Sequence, residues 1–357
     1  MIYINNNIFG GLDESKALIF VVDTSKIESG SSTNVQYKIP LQLKTGLYDV
    51  DCKYIIKWGD TTQSTITSSV DANLLHTYPF AGEYTIKIYP LSGASRISFF
   101  VNNLANRDRL KIREINQVGF AEIDSLYGCA NMRAFTATDF STYWNTKTDM
   151  SYMFAGWNTF NATLPSGFGN FPNAISVFAT YAGWYVFNQI LPVGFGNSPL
   201  ATNVSYAFYS WFAFNQALPA GFGNFPLATA VTYAFSAWYA FNQSITLTTS
   251  ASLTDIAQAF HLSIFKNITI SNCTNVSAIN INTFNVVPLE TLIVNNLKIS
   301  FTIQYSTFTK TAYLDLIASL KDMTALTSPT MTVKNVPAFD TDCDNAAAAK
   351  NWTVVKI

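Results

Sequence analysis

Apolar and polar positions follow a short period in the first third of the chain. Leu18-Ile19-Phe20-Val21-Val22 is a continuous apolar run of buried-strand length, and residues 53–58 and 84–88 alternate with a period of two. Turn-forming residues separate these runs, so the pattern predicts short strands in a small β-sandwich over residues 16–103. Residues 1–15 carry no such pattern and are expected to be an anchoring segment.

From 148 to 245 a longer period takes over. Trp157, Trp184, Trp211 and Trp238 are each 27 residues apart. The Phe-Asn pairs at Phe160, Phe187, Phe214 and Phe241 keep that step, as do the Gly-Phe-Gly-Asn runs at Gly167, Gly194 and Gly221. A unit this small cannot bury its own apolar face, so it must stack on its copies. Stacked coils are the expectation, with a row of hairpins as the alternative. Met150, Val177, Val204 and Val231, and four residues on Phe154, Tyr181, Phe208 and Phe235, would form core ladders beside the tryptophans. Asn161, Asn188, Asn215 and Asn242 would form an amide ladder that satisfies backbone groups at the bend. The glycine runs supply the turn.

Residues 104–147 read as degenerate first units, and 246–357 as divergent repeats with a cap. Strands are expected at 268–270, 292–294 and 331–333, one helix carries Tyr313, Leu316, Ile317 and Leu320, and the chain ends as helix then strand. A cap is needed because an open solenoid end exposes core and unpaired strand edge. The predicted class is therefore mainly β: an immunoglobulin-like sandwich, then a solenoid of 27-residue coils.

Composition sharpens this. Charged residues are 12% of the chain, aromatic residues 15%, and the net charge is −1. That balance gives no electrostatic footprint for nucleic acid. Between Asp149 and Asp255 there is no Asp, Glu, Lys or Arg, so a paired-carboxylate site within the repeats is excluded. The two histidines, His76 and His261, have no metal or triad spacing, and no phosphate loop or dinucleotide fingerprint is present. A non-enzyme without cofactor or metal is expected. Asp49, Asp51 and Asp60 are read as solvated loop carboxylates, with a cation site as the alternative. The scattered Cys52, Cys129, Cys273 and Cys343 read as free core thiols. No stretch approaches the length of a membrane-spanning helix, and the N-terminal residues lack a basic start followed by an apolar run.

Trp58-Gly59-Asp60-Thr61-Thr62, with His76-Thr77-Tyr78 and Gly82-Glu83-Tyr84-Thr85-Ile86, resembles the polycystic-kidney-disease (PKD) repeat, an immunoglobulin-like module. Thr61 stands where that family has a second turn glycine, which predicts a different backbone conformation there. Asp149-Met150-Ser151-Tyr152-Met153-Phe154-Ala155 with the Phe-Asn-Gln triplets at Phe187, Phe214 and Phe241 resembles the BspA-type leucine-rich repeat. That family's unit is shorter and has a Trp-Asp segment where this chain has Leu-Pro-x-Gly-Phe-Gly-Asn, so its ligands do not transfer. The combination resembles tail-fibre, head-fibre or decoration proteins of phages and, as the alternative, bacterial cell-surface adhesins. A virion protein needs no secretion signal, which sets the virion first.

The residues following the repeat tryptophans, Tyr185, Phe212 and Tyr239, are the candidate partner-contact stripe. If tryptophan points inward its neighbour tends to point outward, although a thick aromatic core would hold these rings equally well. The expected partners are other virion proteins, a second copy (a homo-oligomer such as a trimer), or a host-surface glycan or protein. Nucleic acid and membrane insertion are not expected.

Overall fold

A computed structural model describes residues 12–42, 53–68, 71–91, 98–101, 107–285, 289–304, 306–334 and 338–357. Most of the expected anchor (1–11), Asp49, Asp51 and Cys52 lie outside the described residues. The protein is mainly β with little helix, and includes about ten turns of β-solenoid. The chain divides into two compact units, Met1–Phe140 and Ser141–Ile357.

In the first unit the apolar run becomes strand Leu18–Asp23, buried at all but one position, so its side chains are covered on both faces of the sheet. It lies antiparallel between Glu83–Pro90 and Ile112–Gln117. Glu83–Pro90 also pairs with Tyr54–Lys57, which pairs with Gln63–Ile66. Ala134–Phe135 joins Ile112–Gln117 in parallel and completes a six-stranded sheet. Ser98–Val101 pairs antiparallel with Leu41–Gln42 and parallel with Glu122–Leu126. Strands beyond residue 103 thus complete sheets begun before it.

The tryptophan turn departs from expectation. Thr61 has φ of +73°, the left-handed region that glycine would occupy, where a β-branched residue is an outlier. The turn keeps a glycine-like backbone, and threonine bears a cost of roughly 1–2 kcal/mol.

In the second unit the repeats stack as coils. Isolated parallel bridges run from Asp149 to Ser176, Asn203, Ala230, Asp255 and Ala278 in succession. Bridges form rather than strands because the backbone bends within each coil, with Tyr152 at φ of +59°, and the amides between those that reach the neighbouring coil turn back. Met150, Tyr152, Phe154 and Gly156 donate to the carbonyls of Ser176, Phe178, Thr180 and Ala182 at 2.7–3.0 Å. The amides between them turn back within the coil, Met153 to Met150 and Ala155 to Tyr152. Ser151 donates its amide to Asp149 Oδ1 at 2.9 Å, so every backbone donor from Met150 to Gly156 is used.

Past the charge-free coils, longer parallel strands take over. Ser244–Leu247, Asn267–Ile270 and Thr291–Val294 pair in order, as do Phe284–Asn285, Phe301–Gln304, Thr330–Lys334 and Thr353–Lys356. Helix Lys310–Ser319 buries Ala312, Tyr313, Leu316 and Ile317, and is capped by Thr309, whose hydroxyl accepts from the Ala312 amide. Helix Thr341–Ala349, capped by Asp340, precedes the last strand. The helices and strands expected here are present, except that Leu320 follows the first helix as its C-cap and is not within it. Cys129, Cys273 and Cys343 are buried free thiols, and burial pushes the Cys273 thiol up to about 12. Among the described residues no helix is long and apolar enough to cross a membrane.

Candidate partner-contact surface

The outer surface of the charge-free coils is set by what the interior takes. Trp157, Trp184, Trp211 and Trp238 are fully buried and stack in one column, with centroids 5.4–5.5 Å apart and planes within 6°. Each later indole N–H donates to a carbonyl of the preceding coil: Trp184 to Phe154, Trp211 to Tyr181 and Trp238 to Phe208, at 2.7–2.8 Å. The next carbonyl of this series, that of Phe235, accepts instead from Ser263 Oγ at 2.8 Å. The column of indoles ends where a hydroxyl takes over their bond.

Phe154, Tyr181, Phe208, Phe235 and Phe260 form a second column at 5.5–5.7 Å. Phe160, Phe187, Phe214 and Phe241 form a third. Beside it the asparagines cap the bends. Asn161, Asn188 and Asn215 each accept, through Oδ1, the backbone N–H of the next asparagine at 2.8–3.0 Å, the last donor being Asn242. Gln189 and Gln216 donate to the same oxygens.

Because the tryptophan side chain fills the interior, the residue after it faces the other way. Tyr185 and Tyr239 are 40% and 49% exposed, and Phe212 is half-buried between them. The three rings lie face to face at 4.8 and 4.9 Å, with planes 5° and 15° apart. Such stacking uses both faces of Phe212 and one face of each tyrosine. What the row presents outward is ring edges and hydroxyls.

A second outer row was not anticipated. Tyr152, Tyr206 and Tyr233 hold left-handed backbone with φ of 55–59°, and Tyr206 stacks on Tyr233 at 4.9 Å. The second coil has Ala179 at the corresponding place, and Phe178 fills the gap, 5.2 Å from Tyr152 and 5.7 Å from Tyr206. Burial, with Tyr233 and Tyr209 nearby, pushes the Tyr206 phenol up. The 27-residue step from Tyr206 to Tyr233, and twice that step from Tyr152, were the signal in the sequence.

In the first unit His76 stacks on the buried Trp58 at 4.5 Å, and its Nε2 lies 2.7 Å from Asp60 Oδ2. Burial raises the Asp60 pKa, but hydrogen bonding to Thr62 and His76 outweighs this and holds the carboxyl below its usual range. Tyr78 donates its hydroxyl to the Trp58 carbonyl at 3.2 Å. These groups spend their polar atoms on one another. His261 is half-buried, and desolvation lowers its pKa. No protein family, curated protein or solved structure matches the chain.

Proposed function

We propose that the protein is a non-catalytic structural or attachment component. Its rigid repeat array would present a neutral aromatic surface to another subunit or to a host surface. The observation that carries this is the stacked row Tyr185–Phe212–Tyr239, on coils that contain no Asp, Glu, Lys, Arg or His between Asp149 and Asp255. Exposed aromatic rows of this kind mark partner surfaces, and the stretch lacks the carboxylates, histidines and lysines that most often carry proton transfer.

A place in a phage virion, as tail-fibre, head-fibre or decoration protein, follows from the resemblance of the sequence. The same proposal reads residues 16–103 as a PKD-like, immunoglobulin-like sandwich, on the packing of Trp58, His76 and Tyr78. It reads residues 148–245 as 27-residue BspA-type coils, on the successive bridges at 149, 176, 203 and 230. The exposed tyrosines favour a cell-surface adhesin that binds glycan as the second reading. Sugar recognition by aromatic residues uses ring faces, however, and here stacking occupies both faces of Phe212 and one of each tyrosine, so subunit contact stands first.

The test is the Phe212→Ser/Tyr239→Ser variant, read by near-UV circular dichroism, light scattering and a glycan array. Loss of assembly or of glycan binding with an intact spectrum supports the proposal. A variant that assembles and binds like the wild type sinks it, and one that unfolds returns these rings to the core.

A further inference from the structure

One departure of the coils from their own repeat puts large aliphatic side chains in water. Positions 163, 190 and 217 are 27 apart, as are 166, 193 and 220, and all lie between the two asparagine ladders at 161/188/215 and 170/197/224. The flanking coils hold small residues there: Thr163 and Ser166 on one side, Ala217 and Ala220 on the other. The middle coil holds Ile190 and Val193, 75% and 81% exposed. Tyr185 and Val186, on the same coil, are exposed too. The tryptophans and asparagines that bond one coil to the next keep the repeat. Two large aliphatic side chains that break it and stand mostly in water forgo most of the stabilisation that burial gives an apolar group.

We propose that this ridge is a self-association surface. Two copies meet across a two-fold axis, with Ile190 and Val193 of each seated on the Ala217–Ala220 row of the other. The proposal rests on reading the neighbouring Tyr185–Phe212–Tyr239 row as a contact surface, and it names the partner. Two features point to a second copy. First, a charged partner surface would lose its hydration here with no counter-charge to meet, and the same coils of another copy offer a neutral surface. Second, ridge and row of small residues adjoin on each copy, so one two-fold arrangement fills both at once, as an isologous interface requires.

Light scattering across a wide concentration range tests this on the full chain. The wild type is expected to reach the mass of a dimer, and Ile190→Ser/Val193→Ser to fall to half that mass with its near-UV spectrum unchanged. A second measurement does not depend on losing the interface. The single variants Ile190→Cys and Ala217→Cys, mixed and oxidised, should cross-link to each other. A wild type that stays monomeric, an assembly that is not dimeric, or a dimer untouched by the Ile190→Ser/Val193→Ser change overturns the proposal. If assembly or glycan binding is lost only in Phe212→Ser/Tyr239→Ser, the aromatic row stands as a contact surface and the ridge falls alone.

Discussion

At the scale of single residues, the aromatic core is constrained by its polar atoms. Tyr181 occupies a place that its column otherwise gives to phenylalanine, and its hydroxyl is buried without a hydrogen-bond partner. Burial pushes this phenol far up. A buried unsatisfied hydroxyl costs about 1–3 kcal/mol, so Tyr181→Phe should raise the unfolding midpoint in denaturant; a lower midpoint would mean that the hydroxyl has a partner after all. Asp60 makes a pH-dependent contribution. Its folded pKa lies below the unfolded value, so the stability it adds is present above that value and lost as pH falls through the folded one. The difference between wild type and Asp60→Asn, read by hydrogen exchange of strand Tyr54–Lys57, should therefore shrink as pH drops below about 4. A constant difference would show that the Asp60 charge adds nothing.

At the scale of elements, the Gly-Phe-Gly-Asn turn asks different things of its two glycines. Gly167 and Gly169 both have φ of +80°. A β-carbon on Gly167 would meet nothing within 4 Å, whereas one on Gly169 would sit 2.3 Å from the Phe195 ring of the next coil. Both alanine variants bear the backbone strain, and only Gly169→Ala adds overpacking, roughly 1–3 kcal/mol more. Thermal unfolding of the pair isolates that term, and equal losses would show that the coils can part at no cost. The helices and strands of the C-terminal part were legible because their apolar spacing was intact. The bridges at 149, 176, 203 and 230 were less so, since a coil whose alternate amides turn inward leaves no two-residue period to read.

At the scale of the whole molecule, the columns make the repeat array additive. Removal of residues 176–202 would bring Trp211 to the position of Trp184 and join the asparagine ladder at Asn161 and Asn215. Nearest-neighbour stacking then predicts a shorter, cooperatively folded protein, while deleting half as many residues from the same place would put apolar rings where turns belong and break every column. Circular dichroism melts of the two deletions decide this, and two equally cooperative variants would refute the ladder account. The sequence alone determined the period, the asparagine ladder and the charge-free stretch, because each depends on residue type at fixed places along the chain. Only the tertiary structure decided that Tyr185, Phe212 and Tyr239 cover one another's faces, that Thr61 takes a left-handed backbone, and that strands before and after residue 103 share sheets. Those outcomes depend on how neighbouring coils and strands meet in space, and spacing along one chain does not encode the angle between two rings or the partner of a strand edge.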